Sequence, residues 1–96
     1  MPAVTRIGDS ENPHCSSKVR AGGSSNVFCN GIPVSRQGDK NTVHMSNPPL
    51  CNIPHTAPIT TGSTKVYVNG KGCGRKGDAV TNCTPVSAGS SNVFAG

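Results

Sequence analysis

His14, His44 and Cys83 each lie five residues past the aspartate of an Arg-x-Gly-Asp tetrapeptide. The tetrapeptides are Arg6-Ile7-Gly8-Asp9, Arg36-Gln37-Gly38-Asp39 and Arg75-Lys76-Gly77-Asp78. Exchanging imidazole for thiolate at one equivalent position preserves metal affinity and little else. A structural zinc takes four ligands in a tetrahedron and accepts mixed histidine and cysteine. The remaining histidine, His55, is the expected fourth ligand, giving His14, His44, His55 and Cys83. Cys15 and Cys51 are the alternatives to His55, since each lies near a proposed ligand. Such a set selects zinc over magnesium or calcium, which prefer oxygen. With no open position, the ion would be structural. The paired Cys-x-x-Cys spacing of zinc fingers is absent, so the internal repeat carries this inference.

Other chemistries are poorly served. Arg6, Arg36 and Arg75 with Asp9, Asp39 and Asp78 resemble catalytic pairs, but their repetition favours structural turns that fix each sector boundary. Glu11 is the single glutamate, and no His-Glu-x-x-His motif, Gly-x-Ser-x-Gly elbow or phosphate-binding loop occurs. His14-Cys15 is a poor nucleophile pair, because adjacent side chains rarely face each other. The chain is expected not to be an enzyme.

The elements that position these residues are repeats. Gly23 to His44 aligns with Gly62 to Cys83 at a constant offset of 39, with nine of 22 positions identical. A third copy is divided between the ends. Gly89-Ser90-Ser91-Asn92-Val93-Phe94 repeats Gly23-Ser24-Ser25-Asn26-Val27-Phe28, and Val4-Thr5-Arg6-Ile7-Gly8-Asp9 parallels Val34-Ser35-Arg36-Gln37-Gly38-Asp39. Fixed-period self-similarity of this kind governs the fold. The chain reads as a circularly permuted triple repeat whose ends jointly build one sector of a pseudo-threefold body.

Strands are expected at 26–30, 65–69 and 92–95, each with a valine and an aromatic residue. Asn30-Gly31 and Asn69-Gly70 predict tight hairpin turns. Return strands follow at 32–36 and 71–75, with an N-terminal counterpart at 2–6. The segment 45–58 holds four prolines, which predicts a rigid extended loop crossing the narrow end. Cys29, Cys51 and Cys73 read as small buried or surface thiols. The fold class is therefore all-β, a small pseudo-threefold body of short hairpins with metal ligands converging on its axis, formed by one domain over 1–96.

Composition supports a metal-dependent fold. The 96 residues are 32% apolar, with no Trp, one Tyr and two Phe, so a purely hydrophobic core is thin. Twelve Gly and eight Pro favour turns over helices. The net charge of +5 comes from scattered Lys and Arg, without a basic run or enough aromatics to stack bases, so nucleic acid is not an expected partner. Five cysteines and no apolar signal region imply synthesis in a reducing cytoplasm, where metal binding is commoner than disulfide formation. No stretch approaches the roughly 20 apolar residues of a membrane span.

The residues resemble those of the PAAR-repeat proteins, the sharpened tips of contractile injection machines. The resemblance rests on Pro2-Ala3-Val4-Thr5-Arg6-Ile7-Gly8-Asp9, on Gly23 to Phe28 with Asn30-Gly31-Ile32-Pro33, and on their further copies. It implies a short cone with zinc near the apex, held by three His and one Cys, the ligand set reached above. It also implies a partner: the cone's base caps the blunt end of a trimeric β-helical spike, one monomer per trimer, in a type VI secretion system or phage tail. The tip would then lead the spike through the target membrane. Such a protein is made in the bacterial cytoplasm and delivered outside with the apparatus, or resides in a virion baseplate. Lacking extensions, the chain is expected to be a stand-alone tip. The second copy departs from the pattern at Gly72-Cys73-Gly74, where the first has Pro33-Val34-Ser35, so a different turn is expected there. The competing function is a zinc-stabilised adaptor that attaches effector cargo. A nucleic-acid binder and a small metallohydrolase rank below it.

Overall fold

The computed structural model describes residues 1–11, 13, 15–46 and 50–96. Its elements are four two-stranded antiparallel hairpins, with no helix among the described residues. They are β1 (Ser10–Glu11) with β2 (Lys18–Val19), β3 (Phe28–Cys29) with β4 (Ile32–Pro33), β5 (His44–Ser46) with β6 (Ile53–His55), and β7 (Tyr67–Val68) with β8 (Lys71–Gly72). The strands are shorter than expected because most pairing between sectors consists of isolated bridges.

The expected turns form. Asn30-Gly31 and Asn69-Gly70 all have positive φ, between 55° and 78°, which is the tight-hairpin geometry that Asn-Gly favours. In each Arg-x-Gly-Asp unit the Asp amide donates to the Arg carbonyl at 2.9–3.0 Å. The glycine takes φ of 89°, 92° or 93°, the third-position conformation of a type II turn. The Asp carboxylate then accepts from the Arg amide at 2.7–2.8 Å and from its guanidinium. These hydrogen bonds, more than Coulomb attraction, raise the pKa of Arg6, Arg36 and Arg75 above its ordinary value. Each pair remains partly exposed, so its ionic part contributes no more than about 1 kcal/mol. The turn is held chiefly by geometry.

The three repeats close into a ring. Arg6 bridges Val34, Arg36 bridges Cys73, and Arg75 bridges Val4. Inside that ring, the Thr5 amide donates to Gly74 O at 3.1 Å, the Gly74 amide to Ser35 O at 2.9 Å, and the Ser35 amide to Thr5 O at 3.1 Å. Three serines repeat a second motif. Ser24, Ser63 and Ser90 each accept from the amides two and three residues on. Ser24 donates to Asn69 and Ser90 to Asn30, while Ser63 donates to the main-chain oxygen of Gly96. Gly96 occupies the position of those asparagines, and its backbone substitutes for their side chain. The ends meet as the permutation requires: Ala3 bridges Phe94, and the Ala95 amide donates to Pro2 O at 3.0 Å.

One core cluster is built from two sets of repeat-equivalent positions, Cys29, Val68 and Ala95 with Val4, Val34 and Cys73. Val27 packs against it, whereas Val66 and Val93 are exposed at 41% and 38%. The three repeat-equivalent valines therefore differ in burial. Cys73 serves as a small apolar side chain where the other repeats carry valine, and burial raises its thiol pKa. The departure at Gly72-Cys73-Gly74 therefore keeps the ring, with Gly74 in the place of Ser35 and Thr5.

A Cβ at Gly74 would meet Ser35 O at 2.6 Å, Thr5 Cγ2 at 3.0 Å and Ile59 Cδ1 at 3.1 Å. Backbone cannot retreat as a flexible side chain would. Gly74→Ala is expected to destabilise by about 1–3 kcal/mol through overpacking. Gly96, whose Cβ position meets nothing closer than 3.7 Å, should accept alanine with under about 0.5 kcal/mol. Urea denaturation of the two variants would compare them, and equal stabilities would refute the packed ring.

Candidate metal centre

The proline-rich segment contains a hairpin, not an extended loop. β5 and β6 pair His44 with His55, Met45 with Pro54, and Ser46 with Ile53. A two-stranded ladder leaves each strand an open edge, where the missing N–H of Pro54 is tolerated. Residues directly opposite across an antiparallel pair share a face. The two imidazoles therefore meet edge to face, with centroids 4.7 Å apart and planes at 85°.

Cys83 arrives from a different sector. The turn Val80-Thr81-Asn82-Cys83 is closed by the Cys83 amide donating to Val80 O at 3.1 Å, with Asn82 at φ 49°. Asparagine tolerates that left-handed conformation. Val80 anchors the turn in a second core cluster with Ala57, Ile59 and Val86, and Cys83 packs against it.

These folds bring His44, His55 and Cys83 together, with ligand atoms all within 4.8 Å of one another. His44 Nδ1 lies 2.8 Å from Thr42 O. A carbonyl only accepts, so Nδ1 carries the proton and Nε2 keeps its lone pair for an ion. That Nε2 stands 3.5 Å from Cys83 Sγ. Tetrahedral bonds of about 2.3 Å to sulfur and about 2.0 Å to nitrogen place their donors about 3.5 Å apart. The donor set and its spacing fit a tetrahedral ion. Desolvation, with help from His44 and Lys18, lowers the His55 pKa and favours the neutral ligand form. His14, the remaining predicted ligand, lies outside the described residues.

Cys15 and Cys51 are bonded to each other, with Cα atoms 5.5 Å apart. The disulfide corrects the expectation that cysteines here would stay reduced, and in this form it removes both sulfurs from the ligand alternatives. The two lie 36 residues apart, beyond the reach of any local signal. Cys29 and Cys73 are buried free thiols, as expected.

Beneath the cluster lies a polar network that the repeat does not reveal. Glu11 and Arg20 form an ion pair at 2.6 Å with both side chains fully buried. Arg20 also donates to Asp39 O at 2.5 Å. Asn41 Nδ2 faces Glu11 Oε2 at 3.2 Å and Cys83 Sγ at 3.8 Å, while its Oδ1 accepts from the Ala57 amide at 2.9 Å. Asn41 thus links the buried pair to the sulfur and the second core cluster, the kind of outer support that orients metal ligands. Lys18, 2% exposed, donates to Thr84 Oγ1 at 2.5 Å beside Cys83. A signal for the pair did exist: Glu11 is the one acid, and Arg20 the one arginine, outside the three repeated turns.

A family model described as the PAAR motif matches residues 54–96. That span includes His55, Cys83, the repeat strands of the second copy and the C-terminal half of the third. No curated protein matches the chain.

Proposed function

We propose that the chain, which matches the PAAR motif over residues 54–96, belongs to the PAAR-repeat family of spike-tip-like proteins of contractile injection systems and caps the blunt end of a trimeric β-helical spike, one monomer per trimer. In this reading all 96 residues act as one pseudo-threefold domain. The carrying observation is a set of three aromatic side chains at repeat-equivalent positions. Phe28, Tyr67 and Phe94 are exposed at 56%, 60% and 49%, although large aromatics are costly to leave in water. A threefold partner can offer each of them the same pocket. The body measures 38 × 23 × 22 Å, one long axis and two nearly equal short ones, which suits a pointed cap. The same tip would sharpen the spike for passage through an envelope.

The metal in this reading is zinc, held by His14, His44, His55 and Cys83. The ion supplies cross-linking between sectors where apolar side chains are few. His44 is oriented by Thr42, Cys83 by Asn41, and His55 by its cross-strand pairing with His44. The function is mechanical.

Binding to the trimeric spike of the same system, measured by calorimetry, tests the cap. One monomer per trimer is expected. The triple variant Phe28→Ser, Tyr67→Ser, Phe94→Ser should weaken binding by at least about 100-fold, the loss of a few buried aromatic anchors, with little change in melting temperature. A stoichiometry of three monomers per trimer, or unaltered binding by the variant, would reject the proposed docking.

A further inference from the structure

Besides His44, His55 and Cys83, the chain holds a disulfide whose two cysteines are near neighbours in sequence of the proposed metal ligands. The Cys15–Cys51 disulfide joins the residue immediately after His14 to the β5–β6 connection, four residues before His55. Alongside it, the Met45 amide donates to Ser16 Oγ at 3.0 Å. Residues 15 and 16 are thereby tied at two points to the hairpin whose cross-strand pair is His44 and His55. Both disulfide cysteines are half-buried, within reach of a small thiol, whereas Cys29 and Cys73 are enclosed in the core.

We propose that Cys15 and Cys51 form a redox modification site that sets how firmly the metal centre holds its ion, an inference that rests on the metal reading above. Closed, the bond fixes the chain that follows His14 against the ligand-bearing hairpin, so less ordering is required when the ion binds. Opened, that segment keeps, among the described residues, the Ser16 hydrogen bond, and the ion leaves faster. Closure removes two protons and two electrons from the two thiols as the S–S bond forms. A small-molecule disulfide such as oxidised glutathione accepts them and becomes two thiols, through a mixed-disulfide intermediate. A dithiol or phosphine reductant drives the reverse step. The site would thus couple ion retention to the redox state of the surroundings.

Zinc alone is the probe. Its affinity and release rate are measured by competition with a chromophoric chelator on the full chain, with the disulfide state verified by mass spectrometry. Three preparations are compared: oxidised protein, protein reduced with a phosphine and desalted, and the Cys15→Ser, Cys51→Ser double variant. Loss of outer support to a metal site weakens binding by about 10- to 100-fold. Reduced protein and double variant should both fall in that range, and oxidised glutathione should restore affinity to the reduced protein alone. Should the double variant fail to fold, reduced protein with these two thiols alkylated takes its place. Binding equal within twofold in all states overturns the proposal, as does tighter binding on reduction, which would make the sulfurs ligands themselves. Oxidised protein that takes up no zinc removes the metal reading together with this one, whereas equal uptake leaves the metal reading standing.

Discussion

Zinc removal by a strong chelator is expected to abolish most of the folding stability. A structural zinc contributes on the order of 10 kcal/mol, against roughly 5–15 kcal/mol for the total stability of a domain. The apolar alternative is weak, because the two core clusters consist of small side chains: valines, cysteines, alanines and one isoleucine. The disulfide contributes less than the metal, since closing a loop of 36 residues stabilises by about 3–4 kcal/mol. Metal removal should therefore lower the melting temperature more than reduction does. Cys83→Ala and His44→Ala should reproduce most of the loss. Calorimetry on samples whose metal content has been verified decides the matter. A melting temperature unchanged in metal-free protein would eliminate the proposed zinc centre.

Glu11→Ala carries the next largest expected effect. The Arg20 guanidinium is fully buried, and its Nε has no partner among the described residues. Deleting Glu11 leaves that charge, among the described residues, with only Asp39 O and no counter-ion. Breaking a buried pair from one side costs about 3–5 kcal/mol. The partly exposed Arg6–Asp9 pair provides the contrast, with an ionic contribution below about 1 kcal/mol. Replacing both partners, Glu11→Leu with Arg20→Met, should recover much of the loss, because an apolar pair leaves no charge stranded. Chemical denaturation of the single and double variants measures this. A single-variant loss below about 1 kcal/mol would show that water reaches Arg20 and that the pair is not a sealed support. Because Asn41 faces both Glu11 and Cys83, Glu11→Ala should also weaken zinc binding.

Much of the frame was legible in the chain because repetition turns local rules into global ones. Asn-Gly dictates a tight hairpin wherever it stands, and Arg-x-Gly-Asp dictates a type II turn with an aspartate across its mouth. Three copies of those rules, one shared between the ends, determine that Met1 and Gly96 must meet, and Met1 Sδ lies 3.7 Å from the Cβ position of Gly96. The repeat also singled out His44 and Cys83 as equivalent, and His55 follows as their companion because it is the histidine outside the repeat positions. Tertiary structure decided the remainder, where no repeat exists. The prolines of 45–58 argued against regular pairing, yet a two-stranded hairpin has open edges that admit Pro54. Cys15 and Cys51, 36 residues apart, found each other across space, and so did Glu11 and Arg20 in the interior. A turn is dictated by the φ and ψ preferences of a few neighbouring residues, so the sequence states it directly. A disulfide or a buried ion pair depends on how distant segments cross, which is known only once the ring of sectors has closed.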